Sequence, residues 1–97
     1  MMQTPNNPGV LLDYAEDLRR RKEMHSASEV LQKAATLNPD NWPIIVSYAE
    51  VEQGLGHSPE ATRAINVIRG RLVSGEKPPA ELQARVDAIL KQAPENQ

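Results

Sequence analysis

Two carboxylates, Glu16 and Glu50, stand 34 residues apart, each with polar side chains one helical turn away. Arg19 and Arg20 accompany the first and Gln53 the second. Such a set can hold a peptide of mixed charge through ion pairs and hydrogen bonds. It is a poor set for catalysis. The carboxylates are expected on exposed helix faces, and the chain has no glycine-rich phosphate loop or nucleophile motif. His25 and His57 are the only imidazoles, each expected in a turn between helices, and Cys is absent. Two imidazoles without a third ligand do not make a zinc site. The residues therefore read as those of a non-enzyme with neither cofactor nor metal. The run Arg19-Arg20-Arg21-Lys22 has the charge to meet an acidic partner or phosphates. The simpler account is a basic helix end that complements the helix dipole. Arg63, Arg69 and Arg71 read as solvating residues of a later helix.

A chain of 97 residues makes one small domain. Its 39% hydrophobic and 25% charged content is that of a globular protein. The eight prolines serve as punctuation between helices. Aromatics are limited to Tyr14, Trp42 and Tyr48, so the core must be aliphatic and alanine-rich. Trp42 reads as a staple of the linker at the start of the third helix, the alternative being an exposed aromatic anchor in an interface. A net charge of −2 and a pI near 5.6 argue against a dedicated nucleic-acid binder. No apolar run approaches the ~18 residues of a membrane span, so no membrane insertion is expected. Residues 1–8 lack the basic and apolar regions of a secretory signal, which favours a cytoplasmic location for the chain as given. It stays open whether the chain is a fragment of a longer protein.

Five helices must position these residues. Residues 1–7 are polar and read as a disordered lead-in, with Asn7 as N-cap and Pro8 at the first helical position. The first helix should bury Leu11, Tyr14, Ala15 and Leu18, at i, i+3, i+4, i+7 spacing. Its charges predict Glu16–Arg20 and Asp17–Arg21 pairs at i,i+4. Ser26 with Glu29 reads as a capping box opening the second helix, whose inner stripe is Ala27, Val30, Leu31 and Ala34. Asn38-Pro39-Asp40-Asn41 ends it. The third helix should run from about Trp42 to Gln53 and stop at Gly54 and Gly56. Ser58 should cap the fourth, with Ala61, Ile65, Ile68 and Leu72 inward. A fifth, about 79–92, is amphipathic through Leu82, Val86, Ile89 and Leu90. Residues 93–97 read as a frayed tail.

Shifted by 34 residues, the chain falls on itself. Leu11, Tyr14 and Ala15 land on Ile45, Tyr48 and Ala49; Ala27, Leu31 and Ala34 land on Ala61, Ile65 and Ile68. All are apolar or small. This period predicts an all-α antiparallel stack of helical hairpins.

At these residues the chain resembles the tetratricopeptide repeat family. Residues 8–41 fit that pattern at Leu11, Tyr14, Ala15, Leu18, Ala27, Leu31, Ala34 and Pro39. Residues 42–75 fit it at Ile45, Tyr48, Ala49, Gly56, Ala61 and Ile65. They depart at Glu52 and Ile68 and lack the closing proline, with Val73 in its place. Residues 78–92 look like the family's C-terminal solvating helix. The stretch Tyr48–Glu52 is also similar to the half-a-tetratricopeptide variant of RNA-processing scaffolds; two repeats and few aromatics favour the former.

The resemblance implies a concave groove, formed by the first helix of each repeat, that binds a peptide or helix of a partner. Its residues would be Leu12, Glu16, Arg19, Arg20, Val46, Glu50 and Gln53, with Leu12 and Val46 as an apolar floor. Chaperone-type members carry Asn at the places of Glu16 and Glu50 to grip a carboxylate; carboxylates there would repel one. The expectation is thus a non-catalytic protein-interaction adaptor. Leu11–Ala15 is similar to stretches of bacterial assembly and secretion factors. The alternative is a self-associating element, such as a homodimer, because two repeats fall short of the ~3 a stable stack needs.

Overall fold

The computed structural model describes residues 7–56 and 58–92. The expected lead-in 1–6, the turn at His57 and the tail 93–97 lie outside them. So does any cap by the Ser58 side chain. Five α-helices follow one another: α1 (Pro8–Arg20), α2 (Met24–Leu37), α3 (Trp42–Leu55), α4 (Ser58–Val73) and α5 (Ala80–Gln92). No strand occurs among the described residues. The all-α antiparallel architecture is therefore as predicted.

α1 begins as its sequence dictates. Asn7 Oδ1 accepts from the Gly9 amide at 2.8 Å and the Val10 amide at 3.3 Å. Pro8, which has no N–H to satisfy, occupies the first helical position. The far end is less ordinary. Glu23 N donates to Leu18 O and Lys22 N to Arg19 O, both at 2.9 Å. That bond pair is a Schellman closure. It puts Lys22 at φ 65°, in the left-handed region that glycine usually fills. Thirty-four residues on, Gly56 takes the same conformation, with φ 74°.

The tight turn at Lys22 overturns two expectations. α2 already starts at Met24, so Ser26 and Glu29 lie inside it and form no capping box; the N-cap is Glu23, without a side-chain cap. His25 is likewise within the helix rather than in a turn. α3 also runs further than expected, to Leu55, because Gly54 is helical and only Gly56 turns left-handed.

α1 with α2, α2 with α3 and α3 with α4 pack as antiparallel neighbours, and α3 also packs against both α1 and α5. Positions related by the 34-residue offset are buried alike: Leu11 with Ile45, Ala15 with Ala49, Leu31 with Ile65, Ala34 with Ile68. Three apolar clusters follow. Leu11, Ala34 and Ile44 form one. Ala15, Leu18, Ala27, Leu31 and Val51 form the next. The largest joins Ile45, Val46 and Ala49 of α3 to Ile65 and Ile68 of α4 and to Leu82, Val86 and Ile89 of α5, with Trp42 packed against it. Tyr14 departs from its expected place in the core. It is 52% exposed, whereas Tyr48 is half-buried. The cause is positional: α2 covers the outer face of α3, and no described element covers that face of α1.

A candidate partner-binding surface across three helices

α1, α3 and α5 share one face of the stack, and most of the groove residues predicted from the sequence meet there. Arg19 on α1 reaches Glu16 on its own helix and Glu50 on α3, in both cases at 3.2 Å through Nη1. Glu50 is gripped from the other side by Arg85 of α5, with Nη2 2.6 Å from Oε1 and Nε 2.9 Å from Oε2. Ser47 Oγ, buried beneath, donates to Glu16 Oε2 at 2.9 Å and accepts from Arg85 Nη2 at 3.4 Å. Two carboxylates, two guanidinium groups and a hydroxyl thus make one connected network in which the formal charges cancel.

The electrostatics follow from the geometry. Burial alone would raise the Glu50 pKa. Arg85, by hydrogen bond and charge, and then Arg19 more than reverse that, and the carboxyl lies below its ordinary value of 4.5. Glu50 is therefore ionised throughout the neutral range.

The other predicted residues are placed unequally. Gln53 Nε2 donates to Ile89 O at 3.0 Å, which ties α3 to α5. Leu12 is half-buried between two clusters. Val46 is fully buried among Leu82, Val86 and Ile89, so it offers no floor to a partner. The expected open trough is in fact occupied at this point by α5. Arg20 stays out of the network and pairs with Asp17 at 3.5 Å. Asp17 also takes Arg21 at i,i+4, as predicted, whereas the predicted Glu16–Arg20 pair is replaced by Glu16–Arg19 at i,i+3. A cleft of ≈ 230 Å³ lies open on this face at the C-terminal ends of α3 and α5. Arg19, Glu50, Gln53 and Gln92 line it.

Sequence reasoning missed Ser47 and Arg85. Ser47 interrupts the apolar run Ile44–Ala49, a signal of a buried polar partner. Arg85 sits between Leu82, Val86 and Ile89 and only reveals its role once α5 is docked. A second buried acid, Glu52, stands where an apolar residue was expected. The Ser28 hydroxyl of α2 donates to its Oε2. Arg71, read as a solvating residue, instead bridges loops: its Nη2 reaches Asp40 Oδ1 at 2.7 Å and its Nη1 Glu76 Oε1 at 3.1 Å.

Among the described residues no group of three or more His, Cys, Asp or Glu is placed to hold a metal ion. No described helix is long and apolar enough to cross a membrane. No family model, no curated protein and no solved structure matches the chain.

Proposed function

We propose that this protein is a non-catalytic interaction module of tetratricopeptide-like design, which binds a peptide or helix of a partner protein along the α1–α3–α5 face. The observation that carries this reading is the convergence of Glu16, Arg19, Glu50 and Gln53 on one face, with an open cleft beside them. The equal burial of the core pairs Leu11 and Ile45, Ala15 and Ala49, Leu31 and Ile65, and Ala34 and Ile68 supports the repeat reading. Arg19 and Glu50 keep 25% and 21% of their side-chain surface exposed, enough to exchange one ion-pair partner for a charged group of a ligand. A segment bearing both signs suits the balanced network better than a polyanion does. No catalytic step, cofactor or nucleic acid enters this reading. A place in a bacterial assembly or secretion factor rests on the similarity of Leu11–Ala15 alone.

The test is capture of partners from the source cells, followed by titration against wild type and Gln53→Ala and Arg19→Glu variants. Both variants should weaken binding, with unfolding curves run alongside to separate loss of contact from loss of fold. Unchanged affinity in folded variants would move the site off this face.

Self-association is the second reading, and one observation favours it. Val10 and Tyr14 are 46% and 52% exposed on adjacent turns of α1. Their counterparts one offset later, Ile44 and Tyr48, pack into the apolar clusters. A second copy could cover the same face. Sedimentation of wild type against Tyr14→Lys decides it: a monomer in both discards this reading.

A further inference from the structure

A second surface lies elsewhere on the molecule and involves neither α1 nor α5. Between α2 and α4 runs a groove of ≈ 420 Å³. Ile45 and Tyr48 of α3 make its floor, Ala35 and Pro39 one wall, Ala64 and Val67 the other. Val67 is 43% exposed and presents an aliphatic side chain at the groove. Among the described lining residues, two arginines, Arg63 and Arg71, are the charged side chains.

These two cations are not equivalent. Arg71 closes one end and is already engaged by Asp40, Glu76 and the Pro39 carbonyl. Arg63 stands exposed a little over two turns earlier on α4 and makes no ion pair among the described residues. Below it the Tyr48 phenol faces burial first, and then the charges of Glu52 and Glu60, all of which raise its pKa against a smaller opposing effect of Arg63. The phenol therefore stays protonated and able to donate. The groove thus offers an apolar trough with a phenol O–H and a guanidinium that makes no ion pair among the described residues. That is a site complementary to aliphatic side chains next to a carboxylate.

We infer that the α2–α4 groove docks a partner helix that presents aliphatic side chains at i and i+4 and a carboxylate beside them, facing Arg63 and Tyr48. The flanking walls are themselves two helices running in the same direction, and a third helix laid between them is the ordinary occupant of such a trough. The inference does not depend on the α1–α3–α5 reading, because the two surfaces share no residue of their linings.

The probes are three synthetic helical peptides with Leu at i and i+4, flanked by Glu, by Gln or by Lys. Each is titrated into the whole chain while the backbone amides are followed by NMR. The Glu peptide should shift the amides of Ala35, Ala64 and Val67, and bind about tenfold tighter than the Lys peptide, as one charge-assisted hydrogen bond allows. Arg63→Glu, on an exposed site, should reverse that order without moving the melting temperature. Tyr48→Phe should weaken the Glu peptide and leave the Lys peptide, whose ammonium accepts no hydrogen bond, unchanged. Equal affinity for all three peptides would overturn the inference, as would shifts confined to α1, α3 and α5 or no shifts at all.

Discussion

Arg85 of α5 holds Glu50 of α3 in a two-pronged grip, with one guanidinium nitrogen on each carboxylate oxygen at 2.6 and 2.9 Å. Planar fork geometry of this kind adds direction to charge. Glu50 also carries Arg19 of α1. A single carboxylate is thus the junction at which three helices meet. The fifth helix contributes its apolar stripe to the core, and it is oriented on the stack by this ion pair and by the Gln53 amide bonded to Ile89 O.

Glu50→Ala should destabilise the fold by roughly 1–3 kcal/mol, since hydrogen bonds to charged groups are lost and two guanidinium groups are left facing each other. Urea unfolding measures it. Arg20→Ala, removing an exposed charge outside the network, should stay within about 0.5 kcal/mol. Equal effects of the two changes would mean that the network adds nothing to stability.

The same carboxylate sets an acid limit. Its folded pKa lies below the ordinary 4.5, so Glu50 binds protons more weakly in the folded chain than in the unfolded one. Its contribution is fully present above the ordinary value and is lost as pH falls through the lowered folded value. Thermal stability should therefore decline on acidification below about pH 4.5, and the decline should be shallower in Glu50→Gln. An identical pH profile in the two proteins would remove Glu50 from this role.

The repeat offset made the hairpins legible because burial follows apolar type at positions such as Leu31 and Ile65, whatever lies around them. The ends of the stack were not legible by the same rule. Tyr14 and Tyr48 are the same residue in the same register, yet among the described residues no element covers the outer side of the first, whereas the second is covered. Val46 was misplaced for the converse reason. Its counterpart Leu12 is half-buried, whereas the docked α5 removes Val46 from solvent altogether. The site was readable as far as its local pairs went. Which charge meets which across helices, as in Arg85 with Glu50, depends on docking that no spacing rule contains.

Ser28→Ala should cost roughly 1–3 kcal/mol although it removes a single oxygen. The Ser28 hydroxyl donates to Glu52, a carboxylate with no solvent-accessible surface, and removing the donor leaves a buried acceptor short of one partner. Glu52 replaces an apolar residue between two helices, so its donors decide whether it is tolerated. Chemical denaturation compares Ser28→Ala with Ser26→Ala, whose side chain lies exposed on the same helix. A loss no larger at position 28 than at 26 would show that the Ser28 bond carries no weight.

Lys22→Gly should stabilise the protein. Lys22 sits at φ 65° in the closing turn of α1, and an L-residue in that region crowds its Cβ against the following carbonyl. The offset shows what the position calls for: residue 56, its counterpart, is glycine at φ 74°. Two opposing effects set the size. Relief of left-handed strain is worth about 1–2 kcal/mol, and the added freedom of glycine in the unfolded chain takes back roughly 0.5–1 kcal/mol. A net gain of up to about 1.5 kcal/mol is expected. Lys22 is exposed and in none of the ion pairs described above, so none of those is sacrificed. Lys22→Ala is the informative control. It keeps a Cβ at the strained position and should bring no comparable gain. Thermal melts of the three proteins settle the matter. If glycine and alanine raise the melting temperature equally, strain at residue 22 is not the cause; if glycine lowers it, the Schellman closure tolerates lysine without cost.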